Sequence, residues 1–247
     1  MNIGLCGLGK AGREFVEYSI DMPNDCDLCS VLCRNESSTA NKSVSEITNI
    51  KLDNDIDVTK IDDFSNEENL DVIVDFSSRE TSLKLVDLCA KYKINLVICP
   101  TDFTEKEIEY ISNRCLINKI GIVYAPTLTL GVNTIITFVK VFSSIFPDFS
   151  FEIVEKHGKF KPKPTKTAKI IAENIDRDSV PISSIRLDGY VGVHEIIATN
   201  GNEKICFSHE SFSRRAFAEG AFMAANFVKN KVGFFDIKEM YAEMMRK

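Results

Sequence analysis

The chain opens with MNIGLC, continues as GLGKAG and then as REFVEYSI. This is a short apolar run, three glycines spaced G-x-G-x-x-G from Gly7 to Gly12, and a segment in which Phe15, Val16 and Ile20 recur at helical spacing. Strand, glycine turn and helix in direct succession restrict the fold more than any other stretch, because each glycine has a physical task in that context. Gly7 permits the tight turn, Gly9 lets the backbone approach a pyrophosphate, and Gly12 lets the helix pack closely on the strand. The first helical residues, Lys10 and Ala11, then stand where unpaired N–H groups meet phosphate.

A dinucleotide site makes a second demand at the end of the next strand, DLCSVLC (27–33), where an NAD-type site places a carboxylate on the ribose hydroxyls. Here Cys33 is followed by Arg34. With no carboxylate to repel a 2'-phosphate and a guanidinium to pair with it, NADPH is the expected cofactor, NADH remaining open.

After a polar stretch from Asn35 to Asn69, a βα rhythm resumes. DVIVDF (71–76), INLVIC (94–99) and IGIVYA (120–125) read as buried parallel strands, and SLKLVDLCAKY and TEKEIEYISNRC as the helices between them. The pattern predicts a Rossmann-type α/β fold with a doubly wound parallel sheet, whose ligands sit beyond the carboxyl ends of the strands. Phe76, Ser77, Cys99, Thr101, Ala125, Thr127 and Leu128 occupy those ends and are the expected cofactor and substrate edge.

From about Gly131 the pattern changes. A helix, GVNTIITFVKVFSSIF, precedes the strand-like FEIVEKH, and SSIRLDGYVG, HEIIATNG and EKICFSHE read as strands joined by short glycine-bearing turns. This predicts a second, α+β domain with an antiparallel or mixed sheet. The last part, SRRAFAEGAFMAANFVKN and FDIKEMYAEMM, reads as helical. The expected division is 1–126 with 216–247 as the dinucleotide-binding domain and 127–215 as the substrate-binding and oligomerisation domain.

Between Glu155 and Lys169 the sequence EKHGKFKPKPTKTAK packs six lysines and one histidine into a segment holding two prolines. The whole chain carries net charge -6, so its overall field repels a polyanion such as nucleic acid, and a local basic loop suits a small anionic ligand. His157 and Lys161, four residues apart, are the expected proton donors. His194 and His209 alternate with apolar residues in strands and read as structural.

The 247 residues, 44% apolar and 27% charged, fit a globular chain. No run approaches the roughly eighteen apolar residues of a membrane helix, and the N-terminus lacks a signal pattern, so the cytoplasm is expected. The eight cysteines are expected as free thiols. CDLCSVLC has a metal-like gap, but it is apolar and strand-forming without a fourth ligand beside it, so no metal is expected.

Taken together, the N-terminal glycines, DVIVDFSS, APTLTLGVN, EIVEKHGKFK, PTKTA, RLDGYVGVHEI and SHESFSRRAFAEGA resemble the 4-hydroxy-tetrahydrodipicolinate reductase (dihydrodipicolinate reductase) family of lysine and diaminopimelate biosynthesis, over nearly the whole length. The resemblance implies hydride transfer from a nicotinamide to an unsaturated cyclic dicarboxylate, with His157 and Lys161 as the acid and base groups. Thr167, Lys166 and Arg214 would meet the substrate, and a homotetramer would assemble through the second sheet. Many members accept both NADH and NADPH. The chain departs from the family pattern at Gly158, where a second histidine is usual, at Thr165-Lys166, which replace Ser-Gly, and at Cys99-Pro100-Thr101, which replace Gly-Thr-Thr. The glycine motif and the segment between Lys161 and Pro164 are each one residue short. Two other readings therefore stay open: a reductase of another cyclic imine or carboxylate, and a non-catalytic NADP-binding paralogue.

Overall fold

The structure, a computed structural model, describes residues 1–23 and 25–244. The last three residues of the expected 216–247 segment, including Met245 of the expected terminal helix, lie outside the described residues. In chain order the elements are β1 (Asn2–Cys6), α1 (Lys10–Ser19), β2 (Asp27–Cys33), α2 (Val44–Thr48), β3 (Val58–Lys60), β4 (Val72–Asp75), α3 (Arg79–Tyr92), β5 (Asn95–Ile98), α4 (Glu105–Asn118) and β6 (Gly121–Tyr124). There follow α5 (Leu130–Ile145), β7 (Ser150–His157), α6 (Lys166–Glu173), β8 (Ile182–Arg186), β9 (Gly192–Thr199), β10 (Lys204–Ser211), α7 (Arg215–Val228), β11 (Gly233–Asp236) and α8 (Ile237–Met244). They group into two compact units. The first comprises Met1–Leu128 and Phe217–Met240, the second Thr129–Ala216 with the chain from Tyr241.

The first unit holds a seven-stranded sheet in the order β11-β6-β5-β4-β1-β2-β3, every pair parallel. Val72, Ile73 and Val74 are each buried without regard to which face they point to, as are Leu96, Val97 and Ile98. Helices cover both faces, which explains why these strands read as unbroken apolar runs. The helices begin where the sequence supplies caps: Ser78 accepts from the Thr81 N–H, and Thr104 with Glu107 forms a reciprocal capping box. Two details differ from the sequence reading. Ile20 lies just beyond α1 and is 56% exposed rather than on its buried face. The expected helix FDIKEMYAEMM starts late: Gly233 takes φ +137, its N–H donates to the Ile120 carbonyl at 3.1 Å, and Gly233–Asp236 pair with β6 as an edge strand, so Phe235 and Asp236 are strand rather than helix.

The second unit has a four-stranded sheet in the order β10-β9-β7-β8. β9 runs antiparallel to both β10 and β7, whereas β7 and β8 are parallel. The parallel pair follows from connectivity, because α6 carries the chain across between β7 and β8, whereas a tight turn would have made them antiparallel. One face packs Phe151, Ile153, Ile196 and Ala198 against Val132, Ile136 and Phe142 of α5 and Ala168 and Ile171 of α6. Among the described residues no helix is long and apolar enough to cross a membrane. The eight cysteines are free.

Candidate active site

Along β7 the buried residues alternate as Phe151, Ile153, Glu155 and His157, so one sheet face changes from apolar to ionisable along a single strand. Register extends this change across the sheet. Ile153 aligns with Ile182 and Ile196, Glu155 with Ser184 and His194, and His157 with Arg186. His209 of β10 aligns in turn with His194. All three histidines of the chain thus fall on one face of one sheet.

Glu155 is fully buried. Its Oε1 accepts from the Ser184 hydroxyl at 2.6 Å and from the Arg186 Nη2 at 2.6 Å. The Thr165 N–H donates to both carboxylate oxygens, at 3.1 and 3.2 Å, and the Thr165 hydroxyl donates to Oε2. Burial opposes ionisation, but the bonds from Ser184, Thr165 and Arg186 outweigh it and bring the Glu155 pKa down to about 2. Thr165 also accepts from the Ala168 N–H, so one residue caps α6 and ties its start to β7. Arg186 spends its remaining donors on the Lys161 carbonyl at 3.0 Å and on the carbonyls of Pro162 and Ile185. The turn bearing Lys161 is closed by a bond from its N–H to the Gly158 carbonyl at 3.1 Å.

His157 is buried, with Nδ1 3.2 Å from the Val191 carbonyl and Nε2 3.4 Å from the Nε2 of His194. Its ring lies so close to Gly192 that a Cβ there would stand 2.9 Å from Cε1. Burial lowers the His157 pKa against the opposing pull of Glu155, and burial, with His157 nearby, lowers that of His194 to about 4. Glu155, His157 and His194 each bring one donor atom within 4.8 Å of the others. The set does not suit a metal ion, because the Arg186 guanidinium already neutralises the carboxylate. Of the loop lysines, Lys156 pairs with Glu195 at 2.9 Å and Lys159 pairs with Asp188. Lys161, Lys163 and Lys166 are exposed.

The first unit gathers a different set at the point where strand order reverses between β1 and β4. Gly7 takes φ +93, and a Cβ on it would lie 3.0 Å from the Phe76 carbonyl. At Gly12 a Cβ would stand 1.9 Å from the Gly7 oxygen. Gly9 differs: nothing lies within 4 Å of where its Cβ would be, and α1 starts there without a side-chain cap. The space beside Gly9 and the uncapped start of α1 are the two conditions that close approach of an anion to a helix N-terminus requires. Beneath this loop, buried Asp75 accepts from the Ser77 N–H at 2.9 Å, from the Ser77 hydroxyl, and from the Ser82 hydroxyl at 2.5 Å. Burial raises its pKa to about 6 against those bonds.

The sequence model described as "Dihydrodipicolinate reductase, N-terminus" matches residues 1–128, and the one described as "Dihydrodipicolinate reductase, C-terminus" matches residues 131–241. The chain belongs to the dihydrodipicolinate reductase family. It is 35% identical over 184 residues to the 4-hydroxy-tetrahydrodipicolinate reductase of Thermosipho africanus, covering 74% of this chain and 83% of that one. It is 31% identical over 241 residues to the enzyme of the same name from Wigglesworthia glossinidia brevipalpis, covering 94% and 89%. Among solved structures, the dipicolinate-bound dihydrodipicolinate reductase from Paenisporosarcina sp. TG-14 shares the fold with a TM-score of 0.82 at 21% identity, over 97% of this chain and 99% of that one.

Within this dihydrodipicolinate reductase-family fold, the expected cofactor residues Gly7, Gly9, Lys10, Ala11 and Gly12 gather beside Phe76 and Ser77, and exposed Arg34 directly follows β2. Cys99 and Thr101 follow β5, the Thr101 hydroxyl bonding to Asp102 at 2.8 Å. Ala125, Thr127 and Leu128 follow β6 and are buried. The Leu128 carbonyl lies against α7, where a Cβ on Gly220 would come within 1.8 Å of it. Lys161 sits on the turn that leaves His157. Lys166 and Thr167 are the first two residues of α6, so the basic segment between Glu155 and Lys169 ends in a helix rather than remaining a loop. Arg214 is exposed immediately before α7.

Sequence reasoning missed Glu155, Arg186 and Asp75 and read His194 as structural. A signal existed for Glu155, a carboxylate in phase with Phe151 and Ile153 on a strand whose alternate positions are apolar. None marked Arg186 or His194, because their partners depend on register.

Proposed function

We propose that this chain is a cytoplasmic reductase that converts 4-hydroxy-tetrahydrodipicolinate to tetrahydrodipicolinate in lysine and diaminopimelate synthesis, with NADPH as the preferred reductant. The observation that carries the reading is the 31% identity to a reductase of that name over 94% of this chain and 89% of the relative. Reduced nicotinamide, when bound, supplies a hydride. The balance of the reaction needs one proton as well: the 4-hydroxyl is replaced by hydrogen and departs as water.

The chain's residues divide the remaining work. The open backbone at Gly9 and the uncapped start of α1 hold the pyrophosphate, and Arg34 takes the 2'-phosphate. Lys161, Lys166, Arg214 and the first-turn N–H groups of Lys166 and Thr167 meet the two carboxylates. A helix start thereby replaces the loop glycine that this chain lacks. His157 and Lys161 supply the proton. The sheet face opposite the histidines, which bears Ile185 at 39% exposure, assembles a homotetramer.

Protein mixed with NADPH and freshly generated 4-hydroxy-tetrahydrodipicolinate is expected to consume absorbance at the reduced-nicotinamide band. No turnover with either cofactor overturns the reading. Gly158 and Lys166, where the family has histidine and glycine, favour one second reading, reduction of another cyclic imine, and substrate competition under the same assay separates the two.

Two substitutions test the cofactor half. Gly9→Ala is expected to leave stability unchanged, since its φ of -69 suits alanine and the space is open, yet to weaken NADPH binding about tenfold, ~1.4 kcal/mol. Fluorescence titration with melting as control reads both. Arg34→Glu is expected to move preference toward NADH by about tenfold or more, through loss of a guanidinium–phosphate pair and gain of a ribose acceptor. An unchanged ratio of kcat/KM for the two cofactors removes Arg34 from the site.

A further inference from the structure

The contact between His157 and His194 has a consequence for the proton that the reductase reading requires, and the inference deepens that reading. His157 Nδ1, at 3.2 Å from the Val191 carbonyl, has only an acceptor to face and therefore carries hydrogen. In the neutral ring Nε2 is then a bare lone pair. It faces the Nε2 of His194 at 3.4 Å and the Oε2 of Glu155 at 3.6 Å. A bare lone pair beside a carboxylate is repelled unless a donor also faces it, and among the described residues the His194 Nε2–H is the donor at hydrogen-bond distance. With its Nε2–H donated to His157, His194 is left with a bare Nδ1, which is the atom that has no partner.

We propose that His194 is a positioning residue of the reductase, sharing one exchangeable proton with His157 across the Nε2–Nε2 contact, so that the two rings together store the proton the reaction uses. Loading adds a proton at His194 Nδ1 while the Nε2 hydrogen passes to His157. Unloading delivers the proton from His157 Nε2 and leaves His194 as its Nδ1–H tautomer; the pair resets when that hydrogen is lost from Nδ1 and one is regained at Nε2. The charged groups facing the pair are Glu155 on β7, Lys161 on the turn after it, Arg186 on β8 and His209 on β10. Burial, Arg186 and Lys161 favour the neutral pair, and Glu155 opposes them. A bound dicarboxylate adds negative charge beside Lys161, which tips the pair toward uptake.

Because the chain has three histidines, imidazole 15N spectra resolve every ring that matters. In the free protein His157 and His194 are expected to titrate as a coupled pair with non-ideal curves. His194→Gln keeps a donor toward His157 but cannot carry the extra proton. The variant is expected to fold, to make His157 titrate as a single site, and to abolish the proton uptake that calorimetry in buffers of differing ionisation enthalpy detects when dipicolinate binds. Its kcat is expected to fall about tenfold with KM within about twofold, and the pH profile of kcat to shift. His194→Leu, which removes the donor too, is expected to lose more. Independent, single-site curves for the two rings in the wild-type protein overturn the proposal, as does a His194→Gln variant with wild-type uptake and pH profile. The 15N titration needs no substrate, so failure of the reductase assay with coupled curves intact condemns the functional reading and not the pair.

Discussion

Replacing Arg186 by methionine is expected to destabilise the protein by about 3–5 kcal/mol, the usual consequence of leaving one half of a buried ion pair without its partner. The Arg186 and Glu155 side chains are 4% and 0% exposed, with Nη2 and Oε1 2.6 Å apart. Methionine fills similar volume, so the loss is electrostatic rather than a cavity. At about 2–4 °C per kcal/mol for a chain of this size, the melting temperature is expected to drop on the order of 10 °C. Glu155→Gln in the same background should recover much of the loss, because it removes the stranded charge while the Ser184 and Thr165 donors still find a carbonyl. The pH dependence has a definite sign. Glu155 has its folded pKa depressed from an ordinary 4.5 to about 2, with bonds from Ser184, Thr165 and Arg186 overcoming burial. Its stabilisation is therefore complete above about pH 4.5 and is lost as pH falls toward 2. The gap between wild type and Arg186→Met should narrow over that window. Denaturant unfolding at several pH values measures it, and a gap that is constant down to pH 2 would remove the ion pair as its cause.

The parallel half of the fold was legible because its physics is local. Strands buried on both faces show as unbroken apolar runs, and the glycines at 7, 9 and 12 stand where a turn, an open backbone and a close helix contact each need them. β11 was hidden because four residues beside a helix, FFDIKEM in sequence, give too little period to separate strand from helix. The ionic cluster was hidden for a different reason. Glu155 meets His194, and His157 meets Arg186, only through the register of β7 with β9 and β8. Alternation along one strand says which residues share a face, but not which residue of a distant strand lies opposite. His157 and Lys161 were nominated because they are near in sequence. Their support was not found, because it lies across the sheet.

That support bears on the largest catalytic effects expected. Lys161→Ala should lower kcat by about 10²–10⁴-fold, the ordinary worth of a positioned proton donor, while leaving stability within about 0.5 kcal/mol as for other surface changes. The separation is possible because Arg186 and the Gly158 carbonyl hold Lys161 by its backbone, at 3.0 and 3.1 Å, and its side chain is exposed. Alanine keeps the turn and removes only the ammonium. His157→Gln should produce a loss of similar order, with NADPH affinity within about twofold if the ring acts on substrate alone. If the two groups serve one proton transfer, the double variant should be hardly worse than either single one, since groups acting as a unit are strongly non-additive. Losses that instead multiply would assign them separate tasks, with Lys161 binding a carboxylate and His157 keeping the proton. Steady-state kinetics of the three variants, with thermal melts as controls, distinguishes these outcomes.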